Sequence, residues 1–112
     1  MVVQVKILKM NKHLVELCAQ LMIDTVTISQ LKSNSNPNQP HFLYVIEKLE
    51  ENVKVLAQKI ETYPIEEIVE VVNFTETRFD DFELIQISYL RFYSFKPEYE
   101  EYLKNIPKNR MN

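Results

Sequence analysis

Apolar residues recur at helical spacing along nearly the whole chain, and the breaks in that recurrence divide it. From Asn11 to Lys32, the residues Leu14, Leu17, Leu21, Ile28 and Leu31 share one stripe with Cys18 and Met22. Spacings of three and four residues mark an amphipathic helix. Asp24 is the polar exception, and the expected rotation of the helix sets it at the core boundary. The β-branched run TVTIS at 25–29 weakens the second half, because branched side chains lose rotamer freedom in a helix. SNSNPNQP at 33–40 is a loop by composition. The strongest pattern follows: Phe42, Ile46, Leu49, Val53, Leu56 and Ile60 alternate four and three apart, with Pro40 in the first turn.

Pro64 ends that helix and starts another, with apolar positions Ile65, Ile68, Val69 and Val72 and with Glu66 and Glu67 facing its dipole. A fourth helix begins where Asp80 and Glu83 form a capping box, and it carries Phe82, Ile85, Tyr89, Phe92 and Tyr93 as its core face. Pro97 opens a short fifth helix with Tyr99, Tyr102, Leu103 and Ile106 at helical spacing. The aromatic stretch SYLRFYSFKPEYEEYL at 88–103 is therefore two pieces. The first is expected in the core and the second at the surface.

The fold expected is all-α, an irregular bundle of four main helices plus a short C-terminal fifth. Residues 1–112 form a single domain, with 1–10 and 107–112 extended or frayed. An α+β alternative uses VVQVKIL at 2–8 as an N-terminal strand and turns a hairpin around Asp80-Asp81, since short apolar runs are ambiguous by periodicity. The absence of glycine weighs against it: tight hairpins need positive φ, whereas helices can stop on Asn34, Asn36, Asn73 or Asn105.

Composition narrows the function classes. The single cysteine, Cys18, allows no intrachain disulfide. No signal-like start and no window of eighteen apolar residues is found, so a cytoplasmic protein without membrane contact is expected. The net charge of −3 is unevenly spread. Lys6, Lys9, Lys12, Lys104, Lys108 and Arg110 make the ends basic, and most acids lie between Glu47 and Glu101. An acidic centre repels phosphate and speeds encounter with basic partners.

Chemistry is sparse. Glu47-x-x-Glu50 and Glu67-x-x-Glu70 resemble the carboxylate spacing of Mg²⁺-dependent all-α nucleotide hydrolases, but Glu70 stands where that pattern has an aspartate. On a helical wheel these acids point away from the apolar faces, whereas a metal cage needs them inward. Cys18 with His13 or His41 could make a thiol nucleophile and base, but Cys18 lies on the apolar stripe, where thiols are inert. Without glycine there is no P-loop or dinucleotide fingerprint. No cofactor and no metal site is expected.

The function expected by elimination is a non-catalytic, acidic protein-binding module, such as an inhibitor, immunity protein or antitoxin-like partner that covers a basic protein. Its contact residues are Glu66, Glu67, Glu70, Glu98, Tyr99, Glu101 and Tyr102, and a homodimer is compatible with it. The alternatives are a nucleic-acid-associated regulator using the basic termini and a Mg²⁺-dependent nucleotide hydrolase.

Overall fold

In the computed structural model, which describes residues 10–105, five helices follow one another: α1 (Lys12–Lys32), α2 (Pro40–Ile60), α3 (Ile65–Arg78), α4 (Asp81–Tyr93) and α5 (Lys96–Lys104). No strand occurs among the described residues. The hairpin around Asp80-Asp81 is overturned: Asp80 is the N-cap of α4, and its Oδ1 accepts the Glu83 N–H at 2.8 Å. That single bond satisfies one of the four donors a helix start leaves open. Asn11 does the same for α1, accepting from the Leu14 N–H at 3.1 Å. The strand considered at 2–8 lies outside the described residues.

Helix ends are closed without left-handed backbone. No described residue has positive φ, and Asn73, expected to stop a helix, lies inside α3. Instead the chain tightens into three-residue turns: the N–H groups of Tyr63, Phe95 and Asn105 donate to the carbonyls of Ile60, Phe92 and Tyr102 at 3.0–3.1 Å. Such turns satisfy terminal carbonyls in right-handed geometry that any side chain tolerates. The β-branched run at 25–29 does not shorten α1. Thr25 and Thr27 return their hydroxyls to the carbonyls of Leu21 and Ile23, and Thr27 is buried, so packing overrides propensity there.

α1 and α2 form an antiparallel pair, with α3 and α4 also packed on α1. By length and apolarity α1 could cross a membrane, but here it is the central core helix. Two apolar clusters form along the pair. One joins Leu14, Leu17 and Cys18 of α1 with Leu56 and Ile60 of α2 and Val71 of α3. The other joins Leu31 with Val45, Ile46, Leu49 and Phe95. The seam expected for α2 is therefore the one used, with Phe42 and Val53 half-buried at its margins.

Two expected faces are shifted. On α3 Val71 and Thr75 are buried and the expected Ile68 and Val72 pack half-buried against the first cluster, while Ile65 and Val69 are 65% and 52% exposed. On α4 the inward residues are Leu84, Ile87, Ser88, Arg91 and Phe92, of which only Phe92 belongs to the expected face, and Phe82, Ile85, Tyr89 and Tyr93 turn outward. The reason for the α4 rotation lies in the layer between the two clusters. Asp24 is not at the core boundary but fully buried. Its Oδ1 accepts from Gln20 Nε2 at 2.7 Å and Arg91 Nε at 2.9 Å, and its Oδ2 accepts from Asn52 Nδ2 at 2.6 Å. A buried carboxylate without a cation costs several kcal/mol. Apolar residues lie on both sides of α4, so either rotation buries some of them. Only one brings Arg91 to Asp24.

Candidate binding surface

The contact residues expected from the sequence fall into two groups that the fold holds apart. Glu66 and Glu67 are exposed on α3, beside the first half of α1, and Glu70 is half-buried there. Glu98, Tyr99, Glu101 and Tyr102 are on α5, which packs on the first turns of α2 at the other end of the α1–α2 pair. They do not make one patch.

The α5 group belongs to a connected set of rings. Tyr99 stacks on His41 with centroids 4.3 Å apart, His41 leans on Phe92 at 4.7 Å, and Phe92 meets Phe42 edge-on at 5.3 Å. Tyr44 packs against Tyr99 and Tyr102, and its hydroxyl donates to Glu98 at 2.6 Å. That bond, with partial burial and the charge of Glu98 behind it, pushes the Tyr44 hydroxyl up to about 12. Glu98 and Tyr99 thus hold α5 to α2, and Tyr99 is half-buried. Of the pair expected at the surface, only Tyr102 stays substantially open.

His41 is the sensitive member of this set. Its Nε2 is buried without a hydrogen-bond partner. Desolvation and the nearby Lys96 ammonium hold its pKa below the ordinary 6.5. The unfolded chain therefore binds a proton that the folded chain refuses, and stability rises with pH through this window. Its contribution is full above about pH 6.5 and is lost as the pH falls through the lowered value. Urea midpoints should drop on acidification from pH 7.5 to 5.5, and His41→Phe should remove part of that drop. An unchanged slope in His41→Phe would assign the acid sensitivity elsewhere.

An open apolar stripe runs along α4. Phe82, Ile85, Tyr89 and Tyr93 are 68%, 43%, 60% and 59% exposed, and their spacing of three, four and four lays them along one stripe. Ile85, Tyr89 and Tyr93 also border a groove of about 400 Å³ closed by Thr27, Gln30, Leu31 and Phe42. The polar groups in that groove are partly committed: Thr27 and Ser88 donate their hydroxyls to carbonyls of their own helices. Asp80, Asp81 and Glu83 stand exposed at the start of the stripe. Sequence reasoning missed this surface because its periodicity is that of a core face. The signal available was that α4 is apolar nearly all round, which a single packed side cannot satisfy.

The remaining candidate chemistry is dispersed. Cys18 is buried, and burial pushes its thiol up. His13 is exposed beside Glu16, and His41 lies in the ring set at the other end. Glu47, Glu50, Glu51 and Glu67 are exposed, with Glu50 paired to Lys32 at 3.1 Å. Among the described residues no group of three His, Cys, Asp or Glu side chains is placed to share a metal ion. Compared with protein-family models, curated proteins and solved structures, the chain matches none.

Proposed function

We propose that the protein is a non-catalytic protein-binding module whose contact surface is the outward stripe of α4 and the groove beside it. The observation that carries this reading is the exposure of Phe82, Ile85, Tyr89 and Tyr93 on a helix whose other side is packed. Contiguous apolar patches of this kind mark interaction sites, and aromatic residues supply much of the energy at such contacts. The shape favours an apolar helix laid along α4, in the helix-in-groove manner. The exposed acids Asp80, Asp81 and Glu83 ask that the partner be basic where it meets that end. The basic partner expected from the overall charge layout is narrowed here to a basic group where the partner meets the start of α4, and the contact is moved from α3 and α5 to α4.

Tyr89→Glu tests the surface directly. At 60% exposure the side chain contributes little to packing, so stability should change by no more than about 0.5 kcal/mol. Binding should fall by about 2 kcal/mol or more, roughly thirtyfold in affinity. The measurement compares what immobilised wild type retains from the native host extract with what Tyr89→Glu and Glu66→Lys/Glu67→Lys retain. A partner lost only with Tyr89→Glu supports α4. A partner insensitive to Tyr89→Glu but lost with the α3 reversals moves the site to the acidic face.

A further inference from the structure

Resting on that reading, we infer that the partner on the α4 stripe is a second copy of this chain, with the two α4 helices antiparallel about a two-fold axis. The stripe is close to self-complementary. When Phe82 of each copy meets Tyr93 of the other, Ile85 and Tyr89 of both copies meet at the centre, and the axis crosses on the outward side at the level of Ile87 and Ser88, which face inward. A two-fold contact needs this property, because the same patch must serve both sides. Charge follows the same symmetry. Each α4 opens with exposed Asp80 and Asp81, and exposed Lys96 follows shortly after its C-terminus. Antiparallel pairing sets the acids of one copy beside Lys96 of the other and opposes the helix dipoles favourably. Gln86, at the flank near the axis, brings no like charge against its mate.

Area sets the strength. From their exposures the four stripe side chains offer roughly 400 Å² per copy, about half of the ~800 Å² that a standard interface buries on each partner. The dimer is therefore weak and concentration-dependent, and it equilibrates with monomer.

Sedimentation equilibrium on the full chain, from micromolar to hundreds of micromolar, reads the assembly. Wild type should pass from the mass of one copy to that of two, and Tyr89→Glu should weaken association at least tenfold. Asp81→Lys and Lys96→Glu should each weaken it, and the two together should restore it. Oxidised Gln86→Cys should give a covalent dimer, with buried Cys18 contributing none. A wild-type mass of one copy throughout overturns the inference. If a different protein is then retained in a Tyr89-dependent way, the α4 surface still stands as a binding site. If nothing is, both readings fall. A dimer that neither cross-links through Gln86→Cys nor responds to the charge exchange overturns the α4 arrangement.

Discussion

Asp24→Ala should destabilise the protein by about 3–5 kcal/mol, a large share of the ~5–15 kcal/mol that holds a domain folded. The loss has little to do with the small volume removed. Without the carboxylate, the Arg91 guanidinium faces a polar layer that offers it no anion, and Gln20 and Asn52 each lose the acceptor recorded at 2.7 and 2.6 Å. Arg91 is partly exposed and lies over the Phe95 ring at 4.9 Å, so it can swing toward water, which places Asp24→Ala toward the lower end of the range. Arg91→Ala is the harsher change because it strands a fully buried carboxylate. Urea denaturation reads both, with the midpoint falling at constant slope. The double variant should cost clearly less than the sum, since each single change removes the same bond. A single Asp24→Ala loss below about 0.5 kcal/mol would mean that the layer contributes nothing to stability.

Leu49→Ala should cost about 2–5 kcal/mol, through lost burial and the cavity left behind. Leu49 is fully buried in the cluster that joins α1, α2 and Phe95. Val45 and Ile46 sit on the same helix as Leu49 and Phe95 is held by the turn that ends α4, so these cluster members have little room to close in. Thermal unfolding should shift down by roughly 10 °C or more. The control is Leu90→Ala: the same truncation at a side chain 71% exposed should move the midpoint hardly at all. Equal shifts in the two variants would contradict the assignment of inside and outside.

The contrast between those two leucines also shows what could be read from the sequence. The α2 seam was legible because its apolar residues occupy one side and polar ones the other, leaving one way to bury it. The caps at Asn11 and Asp80 were legible in the same local sense, as short-range chemistry between neighbours. The orientation of α4 was not. Its apolar residues surround the helix, and the tie is broken by Arg91 reaching a residue 67 positions earlier. No window of the sequence contains both partners. For the same reason the surface looked like core and the Asp24 layer looked like boundary. The α5 tyrosines were half legible: their spacing gave the helix, but the stacking of Tyr99 on His41 is a contact between distant segments. The division of the acids between α3 and α5 was likewise invisible until the chain folded back.

The right-handed helix ends have a consequence for the unfolded chain. Every residue carries a side-chain carbon, so the unfolded backbone explores a smaller range of conformations than one punctuated by glycine. Reversals such as those at Ser33, Glu61 and Ser94 are made from torsions that neighbouring helical residues already use. The helix ends at Ser33, Glu61 and Ser94 thus extend the helix before them, while Gln39, Pro64, Phe79 and Asp80 supply the extended steps that lead into the next. At the C-terminal end of α4 such a joint leads straight into Phe95 in the core and ties the outward stripe to the α1–α2 pair, which suits the self-association proposed for it across a two-fold axis.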